Sequence, residues 1–298
     1  GTATMYWSSS GNIIINCTGN FSSTSTGGAA LIAVPVVLPT VAPQAYAFAF
    51  QNSSTASRTY NLNLGGNFSV AGTGTFGGGS ANASSAANII FTGGAASVTY
   101  TADPSVMSVT NSNKKNNFVV ASGKTLTLNN SIIPASSSSS NSWTFTVNTG
   151  AVLDFGTHSI GDPGLSNRVF VFTAQTGATL RSGHAGGFLN WLAINGGSIT
   201  TLPHNASLSS GATYVFNGSI AQVSSIFRTT PTASPYNAAN IIINNAAGVT
   251  LDTSYNVTSA LQLQTGVLTL STFNITAASI TGSPYSSTKM VNTNSTGM

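Results

Sequence analysis

Trp143-Thr144-Phe145-Thr146-Val147, followed by Thr149-Gly150-Ala151-Val152-Leu153-Asp154-Phe155, alternates apolar with polar side chains on either side of a glycine. Period-two alternation sends the two sets to opposite faces of an extended strand. The glycine supplies the backbone freedom of a sharp corner. The same strand–corner–strand pattern recurs along the chain. Phe118-Val119-Val120 leads into Ser122-Gly123-Lys124-Thr125-Leu126-Thr127-Leu128, and Val169-Phe170-Val171-Phe172 into Thr176-Gly177-Ala178-Thr179-Leu180. Further on, Ile241-Ile242-Ile243 leads into Ala247-Gly248-Val249-Thr250-Leu251, and Leu261-Gln262-Leu263 into Thr265-Gly266-Val267-Leu268-Thr269-Leu270. Corner glycines fall at 123, 150, 177, 211, 248 and 266, with gaps of 27, 27, 34, 37 and 18 residues. A repeat in this range, with insertions at the corners, predicts an all-β chain built as a β-solenoid with irregular N-terminal coils and loop insertions.

Composition points the same way. The 298 residues carry eight Lys or Arg and four Asp, no Glu, and a formal charge of +4, while Ser, Thr, Asn, Gly and Ala fill the rest. An ordinary soluble domain is about one quarter charged. In stacked parallel strands each side chain lies about 4.8 Å from its counterpart. A column of like charges at that spacing repels itself, whereas columns of Thr, Ser or Asn can hydrogen-bond along the stack. The 41% hydrophobic content, arranged in β-branched blocks, argues against disorder.

Several function classes lose support here. Eight scattered cations, with Lys114-Lys115 the one adjacent pair, form no phosphate-tracking surface, so no nucleic-acid partner is expected. The most apolar stretch, 29–43, holds Pro35, Pro39 and Pro43, which forbid a membrane helix and suggest an extended covering segment. Cys17 follows Ile13-Ile14-Ile15 and reads as a small buried core residue. The tracts 22–28, 77–85 and 136–142 read as loops, with Gly77-Gly78-Gly79 a flexible turn. The expected organisation is an irregular N-terminal β region or cap over 1–58 and a solenoid over 59–298 that continues beyond Met298.

Leu208-Ser-Ser-Gly-Ala-Thr-Tyr-Val-Phe-Asn-Gly-Ser-Ile-Ala-Gln-Val223 resembles the repetitive β-strand regions of large cell-surface proteins of the Bacteroidota, typically exported by the type IX secretion system. Ala239-Asn-Ile-Ile-Ile-Asn-Asn-Ala-Ala-Gly-Val-Thr-Leu251, Leu261-Gln-Leu-Gln-Thr-Gly-Val-Leu-Thr-Leu270, Asn116–Asn130 and Ala178–Gly187 are similar to the same family. The resemblance covers roughly residues 60–298. It implies an exported surface protein with a right-handed parallel β-helix, the type IX export machinery as a partner, and no catalytic residues. Such proteins usually end in a folded sorting domain, whereas this sequence ends at Asn292-Thr-Asn-Ser-Thr-Gly-Met298, which reads as mid-repeat.

Parallel β-helices include polysaccharide lyases and hydrolases, and glycoside hydrolysis commonly needs two carboxylates. Asp154 and Asp162 are the one close pair, with His158 between them as a candidate general base and Arg168 beyond as a binder of a sugar acid. The competing account places Asp162-Pro163-Gly164 in an ordinary turn and Asp154 on the outward face between Leu153 and Phe155. His184 and His204 lack metal-ligand spacing, so neither zinc nor copper is expected. No cofactor is expected, and isolated aspartates give calcium only weak support. Tyr214, Tyr236, Tyr255 and Tyr285 are candidates for stacking on sugars.

The expectation is a non-enzymatic structural or adhesive segment at the bacterial cell surface, serving as stalk or display scaffold. Loops 156–167, 181–189 and 227–239 would carry contacts to extracellular glycans. The alternatives are a glycan-active lyase or hydrolase and a self-assembling fibre or sheath subunit joined end to end.

Overall fold

The fold comes from a computed structural model that describes residues 5–6, 13–25, 31–33, 46–52, 59–72, 75–80, 86–100, 115–132, 142–161, 169–188, 199, 206–226 and 235–293. The described residues are all-β, and no helix among them is long and apolar enough to cross a membrane. The chain forms two compact units, one of Gly1–Thr146 with Gly164–Val171, the other of Val147–Pro163 with Phe172–Met298.

The first unit is built on β1 (Met5–Tyr6), β2 (Ile13–Cys17), β3 (Phe21–Ser25), β4 (Leu31–Ala33), β5 (Tyr46–Asn52), β6 (Thr59–Leu64), β7 (Phe68–Gly72), β8 (Thr75–Ser80), β9 (Ala86–Phe91), β10 (Ala95–Tyr100), β11 (Lys115–Val120), β12 (Thr125–Leu128) and β13 (Ser142–Val147). Strands β2, β6, β9 and β11 lie side by side in one parallel sheet. Their sequence successors β3, β7, β10 and β12 lie side by side in a second. Each strand–corner–strand segment therefore extends both sheets at once. A third parallel sheet has the order β1-β4-β5-β8.

Alternation decides what is buried. Leu62, Ile89 and Phe118 are in register on one face, as are Leu64, Phe91 and Val120, and all six are buried. Each side chain so buried contributes about 1.5–3 kcal/mol. The Phe118 ring stacks on Phe145 at 5.8 Å between centroids and 16° between planes. On the opposite face Asn88 Nδ2 donates to Asn61 Oδ1 (2.7 Å), Asn117 Nδ2 to Asn88 Oδ1 (2.6 Å), and Thr144 Oγ1 to Asn117 Oδ1 (2.7 Å). The hydrogen-bonded polar column expected from composition is present.

The second unit contains β14 (Val152–Asp154), β15 (Val169–Ala174, entering at Phe172), β16 (Thr179–Ser182), β17 (Ala206–Leu208), β18 (Thr213–Phe216), β19 (Gln222–Val223), β20 (Tyr236–Asn244), β21 (Val249–Thr250), β22 (Tyr255–Thr269), β23 (Ile275–Thr281) and β24 (Lys289–Asn292). The parallel succession β14-β16-β18-β20-β22-β23 forms its longest sheet. Strands β19, β21, β22 and β24 form another parallel set, and β15 pairs with β17. Leu153, Leu180, Tyr214, Ile241 and Leu261 make one in-register buried column. Ile280 continues it on β23 and is 52% exposed.

Five of the six expected corner glycines take positive φ: Gly123 (71°), Gly150 (72°), Gly177 (77°), Gly248 (90°) and Gly266 (86°). Gly211 does not. Gly266 lies inside continuous strand β22, where pairing passes from β20 to β21, so that corner interrupts no strand. Three loop expectations need correction. Ser22–Ser25 belong to β3, Gly77–Ser80 to β8, and Ser142 to β13. The glycine run extends because β5 offers it partners, Ala49 to Gly77, Phe50 to Gly78 and Gln51 to Gly79; glycine composition alone does not distinguish a turn from a strand. Cys17 does lie opposite core residue Leu64, but it is half-exposed, with Sγ 3.5 Å from Gly19 O. Of the apolar stretch 29–43, Leu31–Ala33 form β4 between β1 and β5.

Two outcomes follow. A Cβ at Gly123 meets nothing within 4 Å, whereas one at Gly266 would stand 1.7 Å from Asn245 O. Gly123→Ala is expected to cost about 1–2 kcal/mol for its φ alone, and Gly266→Ala about 2–5 kcal/mol with overpacking added, both read by urea denaturation. Asn88→Lys combined with Asn117→Lys is expected to destabilise beyond the sum of the single changes by about 0.5–1 kcal/mol, an excess that shrinks in 1 M salt.

Candidate functional site

Asp154 closes β14 two residues before Gly156, which takes φ of 53°. Its Oδ1 accepts the Gly156 N–H at 2.9 Å, fixing the carboxylate over the turn. Register places Arg181 of β16 directly beside it, with Nη1 4.0 Å from Oδ2. The Asp154 side chain is 20% exposed and that of Arg181 45%. His158 lies on the same turn, half-buried, its backbone N–H donating to Phe155 O at 2.9 Å. Asp162 and Arg168, the other two residues of the proposed glycan-cleaving set, lie outside the described residues, as does His204. Both Asp154 oxygens thus have a partner, and the pairing guanidinium is that of Arg181. The signal was available: Gly150 and Gly177 are 27 residues apart, and the same interval carries Asp154 to Arg181.

A second polar cluster went unread in the sequence. Asp252 Oδ1 accepts from Ser224 Oγ (2.6 Å), the Ser225 N–H (2.9 Å) and the Tyr255 hydroxyl (3.3 Å), and its Oδ2 accepts from Ser225 Oγ. The Tyr255 oxygen in turn accepts the Ile226 N–H at 3.2 Å. Ser225 takes φ of 25°, unusual for a residue with a Cβ, and this set of bonds surrounds it. The arrangement ties the 224–226 turn to the 252–255 turn. It went unread because Ser224 and Asp252 are 28 residues apart and neither belongs to a known motif.

A third cluster spans successive strands. Gln222 is buried; its Nε2 donates to Ser182 O and His184 O, each at 2.9 Å. Its Oε1 accepts the Gly218 N–H (3.0 Å) and Asn245 Nδ2 (2.8 Å). Asn245, fully buried, also donates to Ile220 O and accepts the Ala247 N–H. These amides satisfy corner backbone groups that strand pairing leaves over.

Two of the sugar-stacking tyrosines are core residues. Tyr214 and Tyr255 are buried, because both fall on the inward phase of their strands. Burial holds both phenols above their ordinary range, and the Asp252 carboxylate adds to this at Tyr255. Tyr214 spends its hydroxyl on Ser209 O at 2.7 Å. Tyr236 is half-buried, and Tyr285 is 50% exposed with its hydroxyl 3.4 Å from Ile280 O.

The loop expectations change too. Within 181–189, Arg181 and Ser182 belong to β16, and Gly183, Gly186, Gly187 and Phe188 are buried, so this segment is a packed corner. Within 227–239, Tyr236–Ala239 are part of β20, and 227–234 lie outside the described residues. Of 156–167, the described part is 156–161. Among the described residues no three His, Cys, Asp or Glu side chains converge as metal ligands.

No family model, curated protein or solved structure matches this chain.

Asp252→Ala strands two serine hydroxyls, an N–H and a phenol, and is expected to lower stability by about 2–4 kcal/mol. Arg181→Ala removes a half-exposed partner and should cost less than about 1 kcal/mol. Thermal and urea unfolding of the two variants measures the contrast.

Proposed function

We propose that this chain is a segment of a right-handed parallel β-helix and serves an exported bacterial cell-surface protein as a stalk or display scaffold. The observation that carries this reading is the outward column Asn61–Asn88–Asn117–Thr144, in which exposed-face side chains bond to their counterparts on the neighbouring strands. Side chains placed outward usually face water or a ligand; here they reinforce the stack. Paired growth of two parallel sheets, one strand–corner–strand segment at a time, supports the helical solenoid. The work of such an element is mechanical and non-enzymatic: a stiff body that holds other modules at a distance.

The resemblance to Bacteroidota surface repeats supports export by the type IX route and an extracellular location. Adhesion to extracellular glycans draws on exposed positions such as Tyr285. End-to-end association of such segments through unpaired strand edges is a further route to larger assemblies.

Protease treatment of intact source cells tests the reading. The expected outcome is loss of the protein from unlysed cells, with a cytoplasmic control protein spared. Recovery of the full-length chain from protease-treated intact cells, with digestion only after lysis, would overturn it.

A further inference from the structure

The corner Ser182-Gly183-His184-Ala185-Gly186-Gly187-Phe188 contains a titratable group used as a backbone cap. His184 Nδ1 accepts the Gly186 N–H at 3.0 Å, while His184 O accepts the Gly187 N–H at 3.0 Å and Gln222 Nε2 at 2.9 Å. Buried Ser182 donates its hydroxyl to Gly187 O and accepts the His184 N–H, each at 3.2 Å. Val223 N–H donates to Ala185 O at 2.9 Å, joining the corner to β19. Gly187 takes φ of 68°, and a Cβ there would stand 2.3 Å from Val223 O, so the backbone is closely fitted.

What the corner delivers is Phe188. This ring is wholly buried and meets Phe155 (6.4 Å), Tyr214 (5.5 Å) and Phe216 (5.3 Å) edge to face. It is the hub of the aromatic core in the second unit.

An acceptor Nδ1 carries no proton, so the ring is neutral with its proton on Nε2. Protonation puts a second N–H where the Gly186 N–H already points, and two donors cannot share that position. We propose that this corner is an acid-operated latch, in which protonation of His184 Nδ1 expels the Gly186 N–H and loosens the 184–188 segment that seats Phe188.

The surroundings favour the neutral ring. Half-burial in the corner holds the His184 imidazole below its ordinary range, with desolvation as the cause. Around it, the 154–158 turn, joined through Gly183 N–H to Gly156 O, carries Asp154 and His158. Strand β16 carries Arg181, already paired with Asp154, and the strands beyond contribute the uncharged amides of Gln222 and Asn245. The sign follows. The unfolded chain takes up this proton near pH 6.5 and the folded chain only at lower pH. The stabilisation is therefore complete above about pH 6.5 and is lost as pH falls toward the depressed folded value.

Hydrogen exchange on the intact chain, corrected for intrinsic exchange, tests the latch. Protection factors of the Gly186, Gly187 and Phe188 amides are expected to fall about tenfold or more between pH 7.5 and pH 5, with Leu261 and Leu263 unchanged. His184→Asn should abolish the response, since an Asn oxygen accepts the same N–H two residues on and does not titrate. Equal protection at the two pH values, or an equal loss in His184→Asn, would overturn the proposal. Imidazole nitrogen spectra of the wild-type chain give a readout that needs no folded variant: Nδ1 unprotonated at pH 7.5 is expected, and Nδ1–H there would refute the latch.

Discussion

The described strands of this protein answer to the direct superposition of equivalent residues on neighbouring parallel strands, about 4.8 Å apart. At that distance a residue's closest neighbour is its own counterpart, so the sequence must suit itself. Aliphatic and aromatic positions meet this by stacking, as in Leu62–Ile89–Phe118 and Leu153–Leu180–Tyr214–Ile241–Leu261. Polar positions meet it with groups that both donate and accept, which is why Asn serves in a column and Lys does not. Asp154 over Arg181 shows the same rule from the other side: charges stack where their signs alternate.

Corners pose a different problem. A strand satisfies its backbone through its neighbours, but a turning chain leaves N–H and C=O groups unpaired, and burying them is costly. Here two buried amides and a half-buried carboxylate take up those groups. Gln222 reaches two carbonyls and an N–H, Asn245 a carbonyl and an N–H, and Asp252 an N–H among hydroxyls. Each spans from one turn to the next, so the polar network runs in the same direction as the strand pairing. Within the second unit, core and corner are tied from one turn to the next, which suits the mechanical role proposed for the chain.

Among the described residues, several of the types that suggest chemistry are committed to this architecture. Asp252 is occupied by hydroxyls and an N–H, Asp154 by a turn and a guanidinium, and Tyr214 and Tyr255 by the core. The 184–188 corner, glycine-rich enough to pass for an exposed loop, is closed over Phe188. Gly187 is there because the Val223 and Ser224 carbonyls leave no room for a Cβ.

The sequence by itself determined the all-β class, the parallel stacking and the inward set of apolar residues, because period-two alternation and corner glycines are both features of local sequence. Positive φ at Gly123, Gly150 and Gly177 was legible for the same reason. Only the tertiary structure decided the rest. That Gly77–Gly79 form a strand depended on β5 as a partner. That Tyr214 and Tyr255 face inward depended on strand phase, and that Gln222 caps a corner 38 residues earlier depended on which turns are neighbours. Irregular insertions shift the register between repeats, so proximity across strands is set by three-dimensional stacking rather than by any spacing readable along the chain.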